Sequence, residues 1–253
     1  MKVDGKNMPM GITPLMLAAN ETGSGDKIRQ LFADGNGTDV NARDKNGQTA
    51  LMYATFNDSS DAAEALLSAP GIDLEAKDIT GSTALMKAVA YKAEGVCTLL
   101  AGAGADVNCT NYFGETALIR SIINKSAGIT ERLIQAGADV NRSDNTGRTP
   151  LIVAACHNDT DIVKRLINAG ADTKLHDKSG NDVARAAAEK DSWEVLAFLI
   201  NLKLISDKDI ETALIKASMK GFANSTSTIL ALCKDKERLS YAAIVSASLK
   251  DKP

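Results

Sequence analysis

Apolar positions along this chain come in short paired bursts separated by polar turns, and residues 144–170 show the pattern in full. Asp144-Asn-Thr-Gly147 reads as a turn whose glycine is free to take positive φ. Thr149-Pro150 opens a helix, proline being tolerated in a first helical turn. Residues 151–156 continue it as a short apolar segment kept slim by Ala154 and Ala155. Asp161 begins a second helix, on which Ile162, Val163, Leu166 and Ile167 fall at amphipathic spacing. Asn168-Ala-Gly170 ends it, with glycine in the left-handed C-terminal position. One such hairpin cannot bury its apolar face alone, so it needs a neighbour of the same kind.

The neighbours are present in the sequence. Gly11-Ile-Thr-Pro-Leu, Gly47-Gln-Thr-Ala-Leu, Gly81-Ser-Thr-Ala-Leu, Gly114-Glu-Thr-Ala-Leu and Gly147-Arg-Thr-Pro-Leu align. Their threonines (Thr13, Thr49, Thr83, Thr116 and Thr149) recur at intervals of 36, 34, 33 and 33 residues. Asp182 follows after 33 residues and Thr212 after another 30, in weaker copies. A second marker keeps the same phase: Thr38-Asp-Val-Asn41, Gly104-Ala-Asp-Val-Asn108, Gly137-Ala-Asp-Val-Asn141 and Gly170-Ala-Asp172.

These two markers resemble those of the ankyrin repeat family, D-x-x-G-x-T-P-L-H, then two helices, then G-A-D-V-N. The resemblance covers roughly residues 10–232. It implies an all-α fold, an ankyrin-repeat solenoid of stacked helix-turn-helix units with β-hairpin-like loops. The expected organisation is a single domain over 1–253, with repeats at approximately 10–42, 43–76, 77–109, 110–142, 143–175, 176–205 and 206–233. A C-terminal capping helix is expected at 237–250, carrying Leu239, Ala242, Ala243 and Ser246.

Several positions depart from the family pattern. Its T-P-L-H histidine is replaced by Met16, Met52, Met86, Ile119 and Ile152, so apolar packing should stand in for a polar link. The first copy has a long inter-helix loop at 21–26 and a glycine-rich hairpin at 34–38. The second ends in Pro70-Gly-Ile-Asp-Leu-Glu75, and the fourth has a weak linker at 125–128.

Composition fits this architecture and narrows the chemistry. Only ten of 253 residues are aromatic, which suits a slim core of small aliphatic side chains better than one large globule. The net charge of −3 excludes a strongly basic nucleic-acid binder, and no nucleic-acid partner is expected. The longest apolar runs, such as 151–156 and 195–200, fall far short of the ~20 residues of a membrane span. The first eleven residues lack the apolar centre of a signal peptide. Four cysteines without a C-x-x-C read as reduced thiols, and eight N-x-S/T sequons weigh against a eukaryotic secretory route. The expected location is cytoplasmic, or exported if a signal segment has been removed.

Catalytic patterns are missing. His157 and His176 are the only histidines and have no metal-ligand spacing. Asp139-Val-Asn141-Arg-Ser143 loosely resembles a calcium loop, but Asp144 stands where that loop needs glycine. Glycine pairs such as Gly23/Gly25, Gly35/Gly37 and Gly102/Gly104 are not followed by Gly-Lys-Ser/Thr, and Cys156 and His157 diverge by ~100° on a helix, so they form no dyad by themselves. No metal, cofactor or enzymatic activity is expected.

The family resemblance instead implies a partner-binding face made of hairpin tips and the groove lined by the short helices. The tips are Lys45/Asn46, Ile79/Thr80, Tyr112/Phe113, Asn145/Thr146 and Lys178/Ser179, and Tyr112-Phe113 stands out as an aromatic pair at a turn. Positions ten, thirteen and fourteen of each copy share a helix face. They bring Tyr53, Phe56 and Tyr91 into the groove together with Lys87, Arg120 and Ile123. This mixed aromatic and basic patch suits an acidic, aromatic partner surface. Trp193 is expected to pack against the next loop. The overall expectation is a monomeric protein-interaction module that binds another protein as a scaffold or adaptor and does not bind a membrane. The alternatives are a host-directed effector or inhibitor that occludes a target enzyme and, more remotely, an enzyme with an unrecognised site.

Overall fold

The threonine that repeats along the sequence is the residue that starts each short helix. In a computed structural model describing residues 2–3, 6–7, 11–34 and 39–233, Thr13, Thr49, Thr83, Thr116 and Thr149 are N-caps. Their hydroxyls accept the backbone N–H groups of Met16, Met52, Met86, Ile119 and Ile152. Such a cap typically stabilises a helix by ~1 kcal/mol, which matters for helices of five to eight residues. Asp182 fills the same role in the next copy, whereas in the last the cap is Ser206 and not Thr212, which lies inside the helix Asp207–Lys220. The expected closing helix at 237–250 and most of the glycine-rich hairpin at 34–38 lie outside the described residues.

The chain forms two compact units, Met1–Asp139 and Val140–Pro253. The first opens with a two-rung antiparallel ladder of β1 (Lys2–Val3) and β2 (Lys6–Asn7). Four helix pairs follow: α1 (Pro14–Ala19) and α2 (Gly25–Ala33), α3 (Ala50–Ala54) and α4 (Ser60–Leu67), α5 (Ala84–Tyr91) and α6 (Glu94–Gly102), α7 (Ala117–Ile123) and α8 (Ala127–Gln135). Odd-numbered helices pack on one another in one row and even-numbered helices in a second. The second unit repeats this scheme with α9 (Pro150–Cys156), α10 (Thr160–Asn168), α11 (Val183–Glu189), α12 (Trp193–Asn201), α13 (Asp207–Lys220) and α14 (Ala223–Leu232). Its second helix in the copy read above starts at Thr160, one residue before Asp161, because Asp159 caps it by accepting the Ile162 N–H.

Burial follows the sequence pattern closely. Met16, Met52, Met86, Ile119 and Ile152 are all buried, so the site of the family's polar histidine is packed with apolar side chains. Alanines on the odd-numbered helices, among them Ala18, Ala54, Ala88, Ala154 and Ala187, are fully buried where neighbouring helices meet. Residues 125–128 are not a linker: Lys125 takes φ +53°, the Ser126 N–H bonds to the Ser121 carbonyl, and α8 already begins at Ala127.

Two sets of polar links hold consecutive copies in register. Asn41 donates to the Gly71 carbonyl and accepts the Asp73 N–H, and Asn108 does the same with Gly137 and Asp139. In the second unit Asn141 serves Gly170 and Asp172 in the same way. Asparagine suits this position because one amide both donates and accepts. Glu75 has only acceptors and keeps half of the link, taking the Asp106 N–H. The other set caps helices across copies. Asp58, at φ +50°, accepts the N–H groups of Gly95 and Val96 at the start of α6. Asp191, at φ +55°, accepts the Ser225 N–H of α14. The residues at the N-cap positions of α6 and α14, Ala93 and Phe222, make no side-chain cap bond.

Candidate protein-interaction surface

Each hairpin turn is built around one side chain whose oxygen replaces missing backbone partners. Asp44 Oδ1 accepts the N–H groups of Asn46 and Gln48, Asp78 Oδ1 those of Thr80 and Ser82, and Asn111 Oδ1 those of Phe113 and Glu115. Successive tips are then linked by one backbone bond, from the Ile79 N–H to the Asn46 carbonyl and from the Tyr112 N–H to the Thr80 carbonyl. The tips are therefore ordered by local and inter-repeat bonds before any partner arrives.

On that frame the apolar tip residues face water. Ile79, Tyr112 and Phe113 are 65%, 67% and 63% exposed, and Lys45 is also exposed. Tyr112 lies against the preceding hairpin: a Cβ added at Gly81 would stand 2.7 Å from its Cδ1 and 2.8 Å from its backbone nitrogen. Glycine at position 81 thus serves twice, through its φ of +76° and by leaving room for Tyr112.

Along the short helices the structure brings three predicted aromatics together. Tyr53 and Phe56 meet edge to face with centroids 5.3 Å apart, and Phe56 meets Tyr91 at 4.7 Å. Tyr53 and Phe56 are half-buried and Tyr91 is exposed. Ile123 is exposed at the end of α7.

The basic residues of the expected patch have partners within the molecule. Lys87 Nζ sits 2.6 Å from Asp78 Oδ2, and Arg120 Nη1 donates to Glu115 Oε2 at 2.8 Å. Tyr53 Oη donates to Asp44 Oδ2 at 3.0 Å. Position ten therefore satisfies the second oxygen of its own turn's carboxylate, or of Glu115 where Asn111 replaces the aspartate. A nearly dry carboxylate is costly without such a partner. Both cations are thus paired within the molecule.

The titratable groups reflect this pairing. Burial alone would raise the Asp78 carboxyl, but hydrogen bonds from Lys87, Thr80 and the Ser82 and Thr80 amides hold it below the usual aspartate value. Burial, then the Asp44 hydrogen bond and charge, push the Tyr53 hydroxyl up to about 12. Burial also raises the Cys156 thiol, which keeps it protonated beside exposed His157. Among the described residues no three His, Cys, Asp or Glu side chains converge to hold a metal ion. No described helix is long and apolar enough to cross a membrane.

Two features were not anticipated from the sequence. Trp193 is 41% exposed at the start of α12. The cross-copy caps Asp58 and Asp191 were also missed, although an acidic residue two places before an uncapped helix is a visible signal.

Stacked helical hairpins with ordered, exposed loop tips define a repeat protein of the protein-interaction class. The family model for ankyrin repeats matches residues 15–111, 85–177 and 155–242, and the chain belongs to the ankyrin repeat family. Among solved structures it is similar to the ankyrin repeat domain of Bcl-3, described as a unique member of the IkappaB protein family. The identity is 27% and the TM-score 0.59, over 71% of this chain and 95% of that one. No curated protein matches it in sequence. Ankyrin repeats are protein–protein interaction modules, and members of the family are typically non-enzymatic.

Proposed function

We propose that the chain is a scaffold or adaptor, a monomer that binds a protein partner through the loop tips and short-helix groove of its first unit. Tyr112 and Phe113 are the anchors, with Ile79 and Lys45 on neighbouring tips. Tyr53, Phe56 and Tyr91 line the groove beside Lys87, Arg120 and Ile123. The observation that carries this reading is the pair of aromatic rings, each about two-thirds exposed, on a turn held by Asn111. Rings presented on a rigid frame bury area on binding with little loss of conformational freedom, and such anchors often contribute ~2 kcal/mol or more each. Because Lys87 and Arg120 are already paired, the matching partner surface is apolar and aromatic rather than acidic.

The test places a photo-crosslinking amino acid at Tyr112 or, as a control, at exposed Glu64 of α4. The expected result is one crosslinked partner from position 112 and none from position 64. Capture of that partner should fall sharply in a Tyr112→Ala/Phe113→Ala variant. Equal crosslinking from both positions, or undiminished capture, overturns the assignment.

A further inference from the structure

In three hairpin junctions the next tip donates one N–H back: Ile79 to Asn46, Tyr112 to Thr80, and Lys178 to Thr146. The series ends in the second unit at the hairpin turn of residues 177–181. Residues 169–182 connect α10 to α11, whereas only residues 202–206 connect α12 to α13. A connection that short cannot form another hairpin, and the Ser179 carbonyl receives no backbone N–H among the described residues. Lys174 stands where Asn41, Asn108 and Asn141 bridge to the following hairpin.

A hollow of about 420 Å3 lies beside this hairpin, with Gly180, the neighbour of Ser179, on its wall. Lys174, His176, Arg185 and Lys208 line it together with Asp182 and Asp209, and Leu204 and Ile205 supply apolar wall. Both carboxylates already serve helix starts. Asp182 accepts the Arg185 N–H at 2.8 Å, and Asp209 Oδ2 accepts the Ser206 hydroxyl at 2.7 Å and its N–H at 2.9 Å. Arg185 donates to the Gly180 carbonyl at 2.7 Å. The ammonium groups of Lys174 and Lys208 have no side-chain partner among the described residues. This edge therefore combines an open backbone acceptor, apolar wall and an excess of cations (Lys174, Arg185 and Lys208) over carboxylates (Asp182 and Asp209).

We propose that the hollow takes an extended acidic peptide segment of a partner protein in the place of the missing hairpin. One peptide N–H donates to the Ser179 carbonyl, and the peptide's carboxylates face Lys174 and Lys208, adding a strand-like segment to an exposed edge. The proposal uses no residue of the Tyr112 surface and does not depend on it.

The test pans random linear dodecapeptides displayed on phage against the whole chain carrying Tyr112→Ala/Phe113→Ala, which removes the other surface. The recovered peptides should be rich in Asp and Glu beside apolar residues. Titrated by fluorescence anisotropy, their affinity should fall about tenfold or more in a Lys174→Glu/Lys208→Glu variant. It should be lost when a copy of residues 169–182 replaces 202–206 and refills the hollow. Both exposed lysines can be changed without disturbing the core, and circular dichroism verifies this. Failure to enrich any peptide, peptides without acidic residues, or unchanged affinity in the charge-reversed variant would each overturn the proposal. So would saturable binding of inorganic phosphate to the hollow with no peptide recovered, which would mark a small-anion site instead.

Discussion

Lys87 Nζ lies 2.6 Å from Asp78 Oδ2 inside a single repeat, with the Asp78 side chain almost wholly removed from water. The pair joins α5 to the turn preceding it, so a groove residue is also a structural one. Lys87→Met keeps the aliphatic stem but leaves the carboxylate with only hydroxyl and amide donors. We expect a loss of ~1–3 kcal/mol in urea unfolding, the range for an unsatisfied buried charge that keeps some hydrogen bonds. Unchanged stability would mean that Asp78 is satisfied by Thr80 and Ser82 alone.

The same pair sets a pH dependence. Asp61, Asp78, Asp144 and Asp209 all have carboxyls held below the ordinary value, with hydrogen bonds outweighing burial. For a group whose folded pKa is depressed, the stabilisation is fully present above the unfolded value of ~3.9 and is lost as pH falls through the folded value. Thermal unfolding should therefore be insensitive to these groups from pH 7 down to about 5 and weaken steeply below about 4. The Lys87→Met variant should show a shallower acid slope, since its Asp78 is less depressed. An acid slope equal to that of the unaltered protein would argue against the ion pair as the source.

Gly81 and Gly71 separate two reasons for using glycine. Both take φ +76°, but only Gly81 faces another residue, with Tyr112 atoms 2.7–2.9 Å from the position of an added Cβ; at Gly71 nothing lies within 4 Å. Gly71→Ala should cost the ~1 kcal/mol of a left-handed alanine. Gly81→Ala should cost at least ~1 kcal/mol more, because backbone must move. It should also weaken partner capture by displacing Tyr112. Equal denaturation midpoints for the two variants would show that the hairpins are not packed closely enough for the contact to matter.

Helix starts, turn residues and core alanines were legible because each is decided by groups within a few residues: Thr116 caps α7 through the Ile119 N–H three residues away. Exposure of Tyr112 and Phe113 was legible for the same reason, since a turn tip offers no cover. The ion pairs of Lys87 and Arg120 were not legible from helix-face geometry, because their partners Asp78 and Glu115 lie nine and five residues back, outside the helix. Asp58 was missed because its role needs a left-handed backbone and a helix from the next copy, 37 residues on.

Asp58 makes that long-range role measurable. Its carboxylate accepts two N–H groups at the start of α6, where the helix dipole also favours negative charge. Asp58→Ala should destabilise by ~1 kcal/mol, as for loss of a local N-cap, with the left-handed backbone adding to it. Asp58→Gly should recover the backbone part and leave the cap loss. Amide exchange at Gly95 and Val96 should quicken in both variants, while exchange at α7 stays as it was. Uniform quickening throughout the first unit would instead mean that the loop acts on global stability alone.

Cys109 tests the place where the aspartate–valine–asparagine marker reads Asp73-Leu74-Glu75. Its Sγ donates to Glu75 Oε2 at 3.0 Å, and burial, then this bond and the charges of Glu75 and Asp106, push the thiol up to about 12. At pH 8 it should react with iodoacetamide far more slowly than an ordinary free thiol, whose pKa is ~8.5. Glu75→Gln removes the negative charge and should accelerate the reaction, as read by mass spectrometry of the Cys109 peptide. Glu75→Asn should accelerate it as well, and should restore the full donor-and-acceptor link that Asn41 and Asn108 make, so thermal stability should rise slightly while reactivity increases. That divergence is the discriminating result: reactivity and stability falling together would mean that Glu75 acts on the hairpin as a whole and not on the thiol through its charge.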